Sequence, residues 1–200
     1  GLPALGNGNL TLARHFAQKN AASLSNYIDA GYDVVYTCTS CGLCLMHDYP
    51  EILDVPQARK IAENTYDLHE YILKLMNDGY VTPQFKEVKR KIAYHIPCHL
   101  RALKIGYPAA KLMSLIPGLD YTILDDACCG LSGSYGFKKK NESTAVQLGN
   151  RSVSLIRKTG MQDIVADCGS CRMQLGGLSG MDTFDPAEIL CETMGINGLK

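Results

Sequence analysis

An α/β fold with parallel sheets flanked by helices is the class this sequence predicts, on three observations. Short β-branched or apolar runs alternate with longer segments of helical period. The composition is that of an ordinary globular chain, with 46% hydrophobic and 20% charged residues among 200, which is long enough for a substantial core and excludes collagen, coiled coil and disorder. Clustered cysteines also fall just past the expected strands. Twenty basic side chains balance twenty acidic ones, so no basic field is available to hold a nucleic-acid backbone. No apolar run approaches the roughly 20 residues of a membrane span, and neither a transmembrane segment nor a signal peptide is read.

In chain order, helical spacing predicts a helix over 10–29, followed by a strand over 33–36 built on Val34, Val35 and Tyr36. Residues 50–56 read as a connection and 66–78 as a helix, and 79–83, bounded by Gly79 and Pro83, read as the connection best suited to divide the chain. Beyond it come a strand over 91–96, a helix over 109–115 and a strand over 121–124. The helix over 143–158 has the clearest pattern: Ala145, Leu148, Val153, Leu155 and Ile156 fall largely on one face, with Asn141 as candidate N-cap and Gly160 as candidate C-cap. A strand over 163–166 and a helix over 186–194 complete the alternation.

Nine cysteines, an odd number, occur mostly in tight clusters. Clustering on a chain of this size, without a secretion signal, points to thiols committed to metal or redox chemistry rather than to a disulfide framework. Cys38 and Cys41 follow the first strand, Cys98 the second, Cys128 and Cys129 the third, and Cys168 and Cys171 the fourth. In an open parallel sheet the carboxyl ends line one edge, where ligand crevices form. Cys98, Cys128, Cys129, Cys168 and Cys171 are therefore expected to converge.

The chain also repeats itself. Gly130-Leu131 opens a Gly-rich loop, a helix and a strand ending in Cys168-Gly-Ser-Cys171; Gly1-Leu2 opens the same succession ending in Cys38-Thr-Ser-Cys41. The first glycine and first cysteine are 38 positions apart in one copy and 37 in the other. Because Cys128-Cys129 precedes Gly130, the repeat leads us to expect a Cys-Cys pair upstream of residue 1, in a longer natural protein.

These residues carry a resemblance. Cys98, Cys128-Cys129-Gly130 and Cys168-x-x-Cys171 resemble the cysteine-rich CCG domain, found in the B subunits of heterodisulfide reductases, in lactate-utilization iron-sulfur proteins and in the C subunits of anaerobic glycerol-3-phosphate dehydrogenases. The wording is nearest to the last group at Tyr94-His-Ile-Pro-Cys98-His99, Ile116-Pro-Gly-Leu119, Ser134-Tyr-Gly-Phe-Lys-Lys139 and Asp48-Tyr-Pro-Glu-Ile-Leu53. The resemblance implies tandem CCG domains, with 1–80 as the C-terminal half of a first, truncated domain and 81–200 as a complete second one. It further implies an iron-sulfur cluster, 4Fe-4S or non-cubane, on Cys98, Cys128, Cys129, Cys168 and Cys171, with Cys38 and Cys41 as part of a second cofactor site. Zinc stays open as an alternative, although tetrahedral thiolate zinc wants four ligands rather than five. A fragment is expected to lose its cluster readily, since thiolates near solvent are open to oxygen.

By the same resemblance the chain is an electron-transfer subunit of a membrane-associated oxidoreductase, located in the cytoplasm at the inner face of the cell membrane. Its partners are flavin-containing dehydrogenase subunits, from which electrons pass towards the quinone pool. Disulfide cleavage of the heterodisulfide reductase kind is the rival enzymatic reading, and a structural zinc module the rival from another class. The remaining motifs are weaker. Cys44 extends the first pair to C-x-x-C-x-x-C, but the fourth cysteine of a ferredoxin run is missing because position 48 is Asp, so Cys44 reads as a buried helix residue, as does Cys191 among Ile189, Leu190 and Met194. The 130–136 glycine run is not G-x-G-x-x-G. His95 and His99 flank Cys98 and are candidates to donate hydrogen bonds to sulfur. Lys138, Lys139 and Lys140 read as solvated surface.

Overall fold

The computed structural model describes residues 1–52, 56–125 and 128–196. Helices α1 (Leu2–Gly6) and α2 (Leu10–Asp29) lead into β1 (Val34–Tyr36), α3 (Thr39–Leu43), a π-helical turn (Cys44–Asp48), α4 (Tyr49–Ile52), α5 (Pro56–Glu63), β2 (Thr65–Asp67) and α6 (Leu68–Asn77). After the irregular segment 78–90 come β3 (Lys91–His95), α7 (Cys98–Leu103), α8 (Pro108–Met113), β4 (Asp120–Leu124), a 3₁₀ turn (Lys139–Asn141), α9 (Glu142–Lys158), β5 (Asp163–Val165), α10 (Gly169–Ser179), β6 (Thr183–Phe184) and α11 (Pro186–Met194). All strand pairings are parallel: β1 pairs with β2, and the second sheet runs β4-β3-β5-β6. The four expected strands and the parallel class are thus present.

Alternation along the strands builds a core on each face of the larger sheet. Ile92, Tyr94 and Ile96 turn to one side and pack with Leu112, Met113 and Ile189 of α8 and α11. Ala93, Ile164 and Ala166 turn to the other and meet Val153, Ile156 and Leu175 of α9 and α10, together with Cys129, Cys168 and Cys171. The small β1–β2 sheet has its own surroundings, in which the Tyr36 ring lies against Gly42: a Cβ there would stand 2.2 Å from the ring.

Several elements differ from the sequence reading. The expected helix over 66–78 begins only at Leu68, because 65–67 pair in register with β1 and Asp67 caps α6 by accepting the N–H groups of His69 and Glu70. Sheet pairing is a nonlocal gain that helical spacing does not report. The expected connection over 50–56 is flanked by helix on both sides, and its residues 53–55 lie outside the described residues. On α9, Leu148 is 40% exposed, while Gly149 and Ser152 are buried in its place. A Cβ at Gly149 would fall 2.5 Å from Leu178 and 2.9 Å from the Cys129 carbonyl, so α9 presses on α10 and on the cysteine turn at its smallest residue. Asn141 stands at the N-cap position, but its side chain donates to the Tyr135 carbonyl (2.9 Å) instead of capping.

Candidate metal centre

Three of the larger sheet's strands deliver cysteines to one edge. Cys98 opens α7 three residues past β3, Cys128 and Cys129 follow β4, and Cys168 stands at the N-cap of α10 just past β5. The pair Cys128–Cys129 is fixed by a turn that only glycine allows. Gly130 has φ +94°, and a Cβ on it would fall 2.1 Å from the Ala145 carbonyl oxygen. The turn is tied down from α9, where the Ser152 hydroxyl donates to the Cys128 carbonyl (2.7 Å). We expect Gly130→Ala to cost about 2–4 kcal/mol, from backbone strain and overpacking together, read as a lowered urea midpoint with unchanged slope.

The five sulfurs lie in one close run, Cys98, Cys128, Cys129, Cys171 and Cys168, within which the Cys171 thiol donates to the Cys129 sulfur at 3.2 Å. The structure therefore brings together all five residues expected to converge, from strands distant in sequence. Within the run the protons are unequally held. Cys128 is pushed well down because Cys129 and Cys98 both donate to its sulfur, helped by the Gly130 N–H (3.4 Å). Cys168 is pushed down to about 5 by the thiol of Cys171 and by the N–H groups of Cys171 and Ser170 at the start of α10. Cys129 rises to about 11 through its hydrogen bond to Cys128, Cys98 rises for the same reason, and Cys171 rises through Cys129 and Cys168. The surroundings thus favour the thiolate at Cys128 and Cys168 and the thiol at Cys98, Cys129 and Cys171. Among the described residues no three His, Cys, Asp or Glu side chains are spaced around a single ion, so the sulfurs form a chain rather than a closed metal cage. As a donor set, five neighbouring thiols, two of them placed where the thiolate is favoured, suit iron-sulfur ligation, which needs thiolates.

Cys38 and Cys41 lie outside this run and form a second pair. Cys38 is the N-cap of α3, with φ −126° and ψ 114°, nearly the conformation of Cys168 (φ −132°, ψ 116°). Cys41 is exposed, and its thiol is raised by burial and by Cys38. This pair sits beside the larger site: α3 packs on α7, and Ser40, within the Cys38–Cys41 motif, shares a 2.7 Å hydrogen bond with His99 Nδ1. Of the two histidines singled out in the sequence, His99 therefore bonds to Ser40 rather than to a cysteine. His95 is 1% exposed, lowered to about 4 by burial, and its Nε2 has no partner among the described residues. Cys44 is buried, with its thiol raised to about 12 by burial and by Asp48. Cys191 is half-buried on α11, away from both groups.

Sequence reasoning missed a polar cluster beneath the site. Asp167, the residue before Cys168, accepts from the Tyr94 hydroxyl (2.6 Å) and faces His69 (3.6 Å), which also meets Asp67 (3.3 Å). His69, Asp67 and Asp167 are each 3% exposed or less. Burial pulls His69 down, but the hydrogen bond from the ring to the Asp67 carboxylate and the charge of Asp167 outweigh it and leave the ring raised overall. Asp167 is raised to about 6, chiefly by burial. These residues join the β1–β2 unit to the larger sheet. The sequence signals that exist, an aspartate ahead of a helix and another ahead of a cysteine, do not say that the two meet.

Residues 92–176 match the family model of the cysteine-rich CCG domain. The chain is 29% identical, over 97% of its length, to the C subunit of the anaerobic glycerol-3-phosphate dehydrogenase of Escherichia coli (strain K12), covering 49% of that protein. It is 27% identical, over 88%, to the B subunit of the fumarate reductase (CoM/CoB) of Methanothermobacter marburgensis, covering 33%. It is 31% identical, over 88%, to the lactate utilization protein A of Bacillus pumilus, covering 74%. The chain thus spans about half the length, or less, of the first two relatives.

Proposed function

Since the chain belongs to the cysteine-rich CCG domain family, we propose that it is an iron-sulfur electron-transfer subunit of an oxidoreductase complex. The observation that carries this reading is the gathering of five cysteine sulfurs at one sheet edge, with those of Cys171 and Cys129 3.2 Å apart. Cys98, Cys128, Cys129, Cys168 and Cys171 would hold the cluster, 4Fe-4S or non-cubane, and Cys38 with Cys41 would contribute to a second cofactor site. When bound, such a cluster accepts and returns single electrons. The residues of the chain hold it and shape its surroundings. The start of α10 supplies N–H donors to Cys168, Gly130 holds the Cys128–Cys129 turn, and buried His95, uncharged at neutral pH, lies beside Cys128 without adding a positive charge.

The finer reading is that the complex is a quinone-linked anaerobic glycerol-3-phosphate dehydrogenase. In it a flavin-bearing subunit passes electrons through this one towards quinone, on the cytoplasmic side of the cell membrane. The similarity to a relative of that name over 97% of the chain supports it. No helix among the described residues is long and apolar enough to cross a membrane, which fits a peripheral attachment. The same reading divides the chain near residue 80. In support, β1 to α6 and β5 to α11 both run strand, Cys-x-x-Cys, helical segment (several short helices in the first, α10 alone in the second), short parallel strand and aspartate-capped helix. The test is anaerobic purification of the chain followed by iron, zinc and acid-labile sulfide analysis with visible spectroscopy. Iron and sulfide in near-equal amounts with charge-transfer absorption are the expected result. Zinc without sulfide would replace this reading by the structural one.

A further inference from the structure

On the face of the sheet covered by α8 and α11, opposite α9 and α10, lies a cavity of about 500 Å³ that the electron-transfer reading does not use. Its walls are Leu68, Ile72 and Leu75 of α6, Leu112 of α8, and Leu190 and Met194 of α11, closed on one flank by Val81 and Phe85 of the irregular segment 78–90. Among the described residues that line it, only Thr82 and Cys191 carry a hydroxyl or thiol. The size falls in the range of small-ligand sites. With almost no donors or acceptors inside, the lining suits a flexible hydrocarbon chain better than a ring bearing carbonyls, which would leave its oxygens without partners.

Lys86 places a cation beside the rim. Lys86 follows Phe85 of the wall, its backbone N–H is fixed to the Thr193 carbonyl of α11 (2.8 Å), and its ammonium lies against Gly195, where an added Cβ would meet Nζ at 2.8 Å. Gly195 adjoins Ile196, which lines the mouth. Among the described residues Lys86 forms no ion pair, and Glu192 of the same helix is already taken by Arg90 (2.7 Å). Exposed apolar surface continues outward at Tyr80, Val81, Met194 and Ile196. An apolar cavity with a cation at its lip that pairs with no acid among the described residues is the complement of an amphiphile with one acyl chain and an anionic head.

We propose that this cavity binds a single acyl chain, with its anionic head held at Lys86. Fatty acids and the acyl chains of anionic membrane lipids share that chemistry, and the second source would fasten the chain to a membrane surface without a spanning helix.

The experiment titrates the chain with the fluorescent acid 11-(dansylamino)undecanoic acid and displaces it with unlabelled straight-chain acids of eight to fourteen carbons. Saturable one-to-one binding is expected, strengthening roughly fourfold per added methylene until the cavity is full. Ala187→Phe, which fills the cavity from α11, should weaken binding at least tenfold. Lys86→Gln, an exposed change that leaves the core intact, should weaken the acid but not the alcohol of equal length. Sedimentation with phosphatidylglycerol vesicles, against phosphatidylcholine vesicles, separates the sources. Ala187-dependent pelleting with the anionic vesicles alone identifies a membrane lipid, and binding of free acids without pelleting identifies a soluble one. Binding that is non-saturable, independent of chain length, or equal in wild type and a folded Ala187→Phe variant overturns the proposal, as does an equal effect of Lys86→Gln on acid and alcohol. None of these readouts depends on iron, so the outcome is separate from that of the cysteine site.

Discussion

Replacing Cys129 or Cys168 by serine is expected to remove most of the iron that the wild-type chain takes up under anaerobic reconstitution with iron and sulfide. Serine keeps the size and the hydrogen-bonding ability of cysteine but supplies a hydroxyl that stays protonated at neutral pH, so a ligand of thiolate character is lost. Cys129 accepts from the Cys171 thiol at 3.2 Å, next in sequence to Cys128, and Cys168 stands at the N-cap of α10, whose first N–H groups favour its thiolate. Cys191→Ser changes a sulfur outside both groups and should leave the iron content at the wild-type level, whereas Cys38→Ser and Cys41→Ser should cost at most the share held by the second pair. Iron and sulfide assays on the five variants, each checked for an unchanged melting midpoint, decide the matter. Full iron in Cys129→Ser or Cys168→Ser would remove the ligand assignment.

The largest stability effect is expected at His69. Its imidazole lies between Asp67 (3.3 Å) and Asp167 (3.6 Å) with every member of the group almost fully buried. In His69→Leu two carboxyl groups face each other without a cation, and removing one member of a buried charged group costs about 3–5 kcal/mol. The double variant His69→Leu/Asp167→Asn removes a charge as well and should recover part of the loss. pH dependence gives a second handle. His69 holds its proton more tightly folded than at the ordinary value of 6.5, so its contribution is fully present below that value and is lost as pH rises through the folded one. The gap between wild type and His69→Leu in urea denaturation should therefore narrow on the alkaline side. A gap that widens there would mean that the ring is neutral in the fold.

The parallel strands and the cysteine edge were legible because both depend on local patterns. Val34–Tyr36, Lys91–His95, Asp120–Leu124 and Asp163–Val165 are short β-prone runs between helical segments. Once strands are parallel, whatever follows each one reaches the same edge, so the meeting of Cys98, Cys128, Cys129, Cys168 and Cys171 could be read from their positions alone. Helices α2 and α11 were legible to the residue for a similar reason, since spacing and flanking residues mark their ends.

Tertiary structure alone decided the rest. Whether 65–67 extend a helix or pair with β1 turns on a partner about thirty residues away in sequence, and helical periodicity carries no record of that partner. The burial of Gly149 and Ser152 over Leu148 was set by how closely α9 approaches α10 and the Cys129 turn. The joining of Asp67, His69, Tyr94 and Asp167, and of Ser40 with His99, required the two sheets to pack in one orientation. Local patterning determines which face of an element is apolar and where a strand ends. Which charged or polar side chains then become neighbours depends on strand order and helix approach, which are settled by the packing of the whole chain.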